Sequence, residues 1–262
     1  MSTSCNCDTN IRMHTNNTNM KVLKIQNISK HFDGVHALSK LSFEIEKGVI
    51  TSIVGPNGAG KTTLINVLTG METFDNGTFV VGDIPLAKVK PREMPMYRIT
   101  RTFQSVRLFE QMTVLDNVLV VLTERNILSA IFEKHSKYHE ERAFGILKRI
   151  GLWEKRNELA ENLSYGQRKL LEIGRALAME PEIYLFDEPF AGLFPEMVKT
   201  VKSIMKELRE EGKTIVLISH NMEIIRELSD HVIVIESGTF LAEGKPEEVL
   251  SRKDVLEAYL GE

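Results

Sequence analysis

The chain has 262 residues, 42% of them hydrophobic, and carries 33 Lys and Arg against 36 Asp and Glu for a formal charge of −3. That composition can fill a globular core, and its slightly acidic balance argues against a general nucleic-acid binder. No stretch approaches the ~18 consecutive apolar residues of a membrane span, so a role at a membrane would require docking onto something that crosses it.

Residues 1–20 are rich in Ser, Thr and Asn and are read as a disordered polar leader. Both cysteines, Cys5 and Cys7, lie in it. With no second Cys or His pair at ligand spacing, they read as exposed thiols of a reducing cytosol rather than a metal site. From Lys21, the residues Val22, Leu23 and Ile25, then Leu41, Phe43 and Ile45, alternate as strands do. Phe32 is either an ordinary core aromatic or a ring for stacking on a nucleotide base, and its position does not choose between them. His31 and His36 read as surface residues.

Val49 to Val54 is an apolar strand that runs into GPNGAGKTT, Gly55 to Thr63. This fits the phosphate-loop pattern G-x-x-x-x-G-K-[ST]. Gly58 and Gly60 let the backbone curl so that its N–H groups face a phosphate, and the helix that follows adds the positive end of its dipole. Lys61 would reach the outer phosphates, and the Thr62 hydroxyl would ligate Mg²⁺. A glycine-rich turn of similar appearance is the alternative; the strand before and the helical spacing of Leu64, Ile65, Val67 and Leu68 after weigh against it.

Asp75-Asn76-Gly77 predicts a turn before a strand from Thr78 to Val81, and Pro85, Pro91 and Pro95 break the stretch beyond. Arg101-Thr102-Phe103-Gln104 ends a further strand-like run. The Gln104 amide is a neutral group able to touch both a metal ion and an attacking water. Between residues 105 and 163 helical patterns dominate, over Val114–Leu122 and Tyr138–Ile150, with Trp153 as a packing anchor. They predict a helical subdomain inserted into an α/β core.

Ser164 and Gln167 form a capping-box pattern that opens a helix with Leu170, Leu171, Ile173, Ala176 and Leu177 on its buried side. The same helix start, with an unhindered Gly166, is also suited to an anion. Ile183 to Phe186 reads as a buried strand that ends in Asp187 and Glu188, where open parallel sheets place ligands. Asp187 would hold a Mg²⁺ shell and Glu188 would polarise water. Thr214 to Ile218 is another buried strand, followed by His220, a hydrogen-bond donor for a γ-phosphate. The chain closes with a strand at Val232–Ile235, a turn at Ser237-Gly238, and short helices from Pro246 and Asp254.

Taken in order, GPNGAGKTT, the TFQ ending in Gln104, LSYGQ, YLFDEP and the SH at His220 resemble the ATP-binding cassette of ABC transporters across residues 21–262. The resemblance implies an α/β P-loop NTPase fold with a RecA-like core, an N-terminal antiparallel β-subdomain and the inserted helical subdomain. It implies ATP and Mg²⁺ as ligands and a head-to-tail dimer with a second cassette. By position, Phe32, Gly55, Asn57, Gly58, Ala59, Gly60, Lys61, Thr62 and Thr63 would contact ATP, with Ser164, Gly166 and Gln167 as the signature contacts. Thr62, Gln104 and Asp187 would serve the metal; Glu188 would be the general base, His220 the switch histidine and Gln104 the Q-loop residue.

The segments RTFQSVRLFEQMTVLDNV, LSYGQRKLLEIGRALA, AGLFP and DVLEAYLGE are similar to the larger cassette of branched-chain amino-acid importers. That implies two integral-membrane permeases, an extracytoplasmic solute-binding protein and a peripheral position on the cytoplasmic face of the membrane. Cassettes for urea or amide uptake and for lipopolysaccharide export share several of these features. Soluble nucleotide-switched ABC proteins are a further alternative, but they carry paired cassettes or coiled-coil arms. Three departures stand out: Tyr165 in the signature, Phe194 where Asp or Asn is usual, and Asn221 after the switch histidine. Phe194 puts one ATP site, or its coupling, in question.

Overall fold

The protein is described by a computed structural model covering residues 20–88, 90–122 and 136–260. The polar leader up to residue 19, with Cys5 and Cys7, part of the predicted helical insert, and the last two residues lie outside the described residues.

Two twelve-residue strands open the fold, β1 (Lys21–Phe32) and β2 (Val35–Glu46). With β4 (Asn76–Val81) and β5 (Ile84–Leu86) they form an antiparallel sheet in the order β2-β1-β4-β5. The alternation read from the sequence is present: Leu41, Phe43 and Ile45 are buried while Ser42 and Glu44 face outward. The turn predicted at Asp75-Asn76-Gly77 differs, because β4 already begins at Asn76. Gly77 has φ 107°, and a Cβ there would lie 2.6 Å from the Asn27 backbone, where β1 bulges. Glycine here allows a close strand approach rather than a chain reversal.

The second sheet holds β3 (Ile50–Val54), β6 (Ile99–Arg101), β7 (Ile183–Asp187), β8 (Thr214–Ile218), β9 (His231–Glu236) and β10 (Thr239–Gly244). Its order is β10-β9-β3-β8-β7-β6, and all neighbours are parallel except β10 with β9. Every residue of β3, β7 and β8 is buried, which is why these strands read as unbroken apolar runs. Strand β10 escaped the sequence reading, since only Ala242 within it is buried. Its turn was legible, however: Ser237 and Gly238 both have positive φ, which suits a two-residue hairpin.

The helices are α1 (Lys61–Leu68), α2 (Val114–Leu122), α3 (Ser136–Arg149), α4 (Tyr165–Ala178), α5 (Pro195–Glu210), α6 (Met222–Leu228), α7 (Pro246–Val249) and α8 (Lys253–Leu260). Helix α4 packs against both α2 and α3. Period-2 alternation along β7 divides the core. Tyr184 and Phe186 join Val118, Leu147, Leu171 and Leu208 on the helical side. Ile183 and Leu185 join Leu64, Leu68 and Phe79 on the side of α1 and the antiparallel sheet. Trp153 packs edge-on against Phe144 at 4.9 Å and under the Arg156 guanidinium at 4.2 Å, an anchor for the helical layer.

This arrangement sets the carboxyl ends of four adjacent strands, β3, β8, β7 and β6, side by side. Each leads into a segment that the sequence marks for chemistry.

Candidate functional site

The β3 end becomes the phosphate loop. Gly60 has φ 98°, and a Cβ there would lie 2.5 Å from the Ala37 carbonyl oxygen, so only glycine lets the loop pass under β2. The loop borders a cavity of 510 Å³ that brings Asn57, Gly58, Ala59, Gly60, Lys61, Thr62 and Thr63 together with Gln104 and His220. Lys61 is 7% exposed and donates to the carbonyl oxygens of Gly55 at 2.6 Å and Pro56 at 2.7 Å. Gly55 therefore sits at the foot of the loop rather than on the cavity wall.

The β7 end carries the two acids. Asp187 is buried, and its Oδ2 lies 2.9 Å from the guanidinium of Arg101, itself buried at the end of β6. The same guanidinium donates to Asn66 Oδ1 on α1 at 2.7 Å. One cation thus ties two strand ends to the phosphate-loop helix. Glu188 follows in the left-handed region, φ 50°. Its Oε1 approaches His220 Nε2 at 3.1 Å but is not aligned for a hydrogen bond, and the buried oxygen has no hydrogen-bond partner. Burial pushes the Glu188 carboxyl above its ordinary value and neighbouring Asp187 adds to this, while His220 and Lys61 oppose it. A carboxylate with raised proton affinity, close to a histidine and with one oxygen unpartnered, has the chemistry to accept a proton. Glu188, Ser219, His220 and Asn221 border an adjoining cavity of 530 Å³, so His220 stands between the two spaces.

Phe32 is 41% exposed, which removes the core alternative. It pairs in register with Val35, which lines the loop cavity, though Phe32 itself does not. Ser164, Gly166 and Gln167 lie elsewhere, at the start of α4. Their capping box is formed: the Gln167 N–H donates to Ser164 Oγ at 3.3 Å, and the Ser164 N–H to Gln167 Oε1 at 3.0 Å. None of the three lines the loop cavity of its own chain.

Arg101, Lys169 and Glu172 were not anticipated. The Glu172 carboxylate, 6% exposed, accepts the Phe103 N–H at 3.1 Å beside Gln104. Burial pushes it up to about 7, against the Phe103 N–H, Lys169, the Arg107 backbone and Arg175. A signal existed for two of them. Lys169 and Glu172 interrupt the apolar side of α4, where charged residues seldom sit without a partner.

A family model described as ABC transporter matches residues 38–191. The chain belongs to the ABC transporter ATP-binding family. A second family model, described as branched-chain amino acid ATP-binding cassette transporter, matches residues 241–262 of the cassette. Among curated relatives, the high-affinity branched-chain amino acid transport ATP-binding protein LivG of Salmonella typhimurium is 38% identical over 250 residues, 92% of this chain and 98% of LivG. A probable LivG of Archaeoglobus fulgidus is 37% identical over 247 residues, 92% of this chain and 96% of the relative. A crystal structure of an ABC transporter cassette in its ADP conformation superposes with a TM-score of 0.81 at 37% identity, covering 93% of this chain and all of that one. A bacterial ABC transporter cassette solved as a dimer gives 0.76 at 28% identity, covering 86% and 98%. The cassette is an α/β P-loop ATPase of a transporter, as its sequence motifs implied.

Proposed function

We propose that this cassette is the ATP-hydrolysing subunit of an importer of branched-chain amino acids. It would work at the cytoplasmic face of a membrane, paired head-to-tail with a second cassette beneath two permeases that an extracytoplasmic solute-binding protein supplies. The observation that carries the solute class is similarity to LivG along nearly the whole of both chains, joined to the matched C-terminal segment. No helix among the described residues is long and apolar enough to cross a membrane, which agrees with separate permease subunits.

Geometry supports the dimer. The loop, Gln104 and His220 share one cavity that Ser164, Gly166 and Gln167 of the same chain do not line, so a second cassette would complete each ATP site. The residues present also fit Mg²⁺ carried by the nucleotide. Thr62 and Gln104, which line the cavity, offer oxygen donors that a hard cation prefers; Asp187, held by Arg101 and outside the cavity lining, would be the carboxylate of the set, and one suffices when phosphates supply the rest. When bound, Mg²⁺ would neutralise charge on the β- and γ-phosphates. The chain's own part is to cradle the phosphates with loop N–H groups, to neutralise them with Lys61, and to take a proton from attacking water at Glu188. His220 would hold that acid and donate to the γ-phosphate, and Phe32 would stack on the base.

The test is purification of tagged chain from its own membranes in mild detergent with Mg-ATP. Recovery of two multi-span permeases and a second cassette, followed by reconstituted uptake of leucine, isoleucine or valine, is the expected result. Co-purification with soluble proteins alone would overturn the importer reading.

A further inference from the structure

Helix α4 buries a lysine whole. Lys169 is 1% exposed, and its ammonium donates to the main-chain oxygen of Glu188 at 2.5 Å. A lysine without water is costly unless its charge and protons are matched. Here the surrounding charge comes from Glu172, Glu188 and Asp187, yet the hydrogen bond goes to a peptide oxygen rather than to a carboxylate.

That peptide belongs to a residue in a conformation that side chains resist. Glu188 sits at φ 50°, a backbone state that costs a non-glycine residue roughly 1–3 kcal/mol unless its surroundings hold it. Three contacts hold it. Its N–H donates to Ile218 O at 3.0 Å across to β8; its carbonyl accepts the Ala191 N–H at 3.3 Å and the Lys169 ammonium. With both flanking peptides fixed, the side chain leaves the strand end toward His220. A neutral residue at 169 would leave the Ala191 bond as the remaining hydrogen bond among these on the carbonyl side.

We propose that Lys169 is a positioning residue for hydrolysis: its ammonium pins the Glu188 main-chain carbonyl and so aims the Glu188 carboxylate at the attacking water. The proposal rests on Glu188 being the general base. It also makes α4 a two-ended element. Its start carries Ser164 as N-cap and Gly166 in the first turn, and five residues after Ser164 the same helix grips the acid of its own chain.

The test compares wild type, Lys169→Met, Lys169→Arg, Glu188→Gln and the Lys169→Met/Glu188→Gln double variant. Each is the full chain purified with its partners, and each is assayed by single-turnover hydrolysis of radiolabelled ATP and by titration of a fluorescent ATP analogue. A misaimed base should slow Lys169→Met by ~10–100-fold and leave analogue affinity within about threefold of wild type. Lys169→Arg, still a cationic donor, should recover most of the rate. Because Lys169 acts through Glu188, the double variant should be no slower than Glu188→Gln alone.

A Lys169→Met rate within about twofold of wild type, or a double variant that loses the same factor again, overturns the proposal. A Glu188→Gln protein that turns over at the wild-type rate overturns the base assignment and the proposal with it, a pattern distinct from either result. Should Lys169→Met fail to fold by thermal melt, Lys169→Gln, polar and similar in volume but without the reach, takes its place with the same expectations.

Discussion

Glu188 and His220 stand at the ends of adjacent parallel strands β7 and β8, with His220 Nε2 3.1 Å from Glu188 Oε1 and the carboxylate oxygen otherwise buried without a donor. Glu188 takes that place through its main chain, which Ile218 O, the Ala191 N–H and the Lys169 ammonium hold.

Replacing Glu188 with Gln keeps the shape and removes the base. Steady-state hydrolysis should fall by at least ~100-fold, while a fluorescent ATP analogue still binds. Hydrolysis near the wild-type rate would place the base elsewhere.

Lys61→Ala should act on binding instead. The lost charge-assisted contacts to phosphate correspond to a rise of about 10–100-fold in the nucleotide Kd, read by the same titration.

The Arg101–Asp187 pair is sealed from solvent, with side chains 7% and 2% exposed. Arg101→Met would strand the carboxylate and detach α1 from the strand ends. The expected loss is about 3–5 kcal/mol in denaturant unfolding. The double change Arg101→Met with Asp187→Asn should recover part of that loss.

Glu172 predicts a pH dependence. Its folded value near 7 lies above the ordinary 4.5, so between those values the folded chain holds a proton that the unfolded chain releases. Stability should therefore fall as pH rises from about 4.5 to 7 and level off above. In Glu172→Gln that decline should be reduced, as followed by urea midpoints across the range.

Phe194 occupies the N-cap of α5 with a side chain that caps nothing and is 69% exposed. Phe194→Asn supplies an acceptor for the first turn and should stabilise by about 1 kcal/mol. If the position also speaks across a cassette dimer, the ATPase rate of the assembled complex should rise. A higher melting temperature with an unchanged rate would confine the residue to capping.

Much of this site was legible because its chemistry depends on backbone and on strand ends. A glycine-rich loop after an apolar run, and acids or a histidine after others, must fall at the sheet's carboxyl edge. Arg101 and Lys169 were not legible in their roles. Arg101 meets a carboxylate 86 positions away, and Lys169 meets a carbonyl, which any residue carries. The turn expected at Asp75-Asn76-Gly77 failed for a related reason: Gly77 serves the bulge in β1, a tertiary neighbour that local sequence does not reveal.

Lys61 rests on the carbonyls of Gly55 and Pro56, so the phosphate loop in this state satisfies its own cation. A ligand must compete for that ammonium before gaining from it. A ligand whose oxygens fall short of it would leave the lysine docked. Binding at the loop is thus an exchange of carbonyl partners for ligand oxygens, with the lysine's charge already partly answered before any ligand arrives.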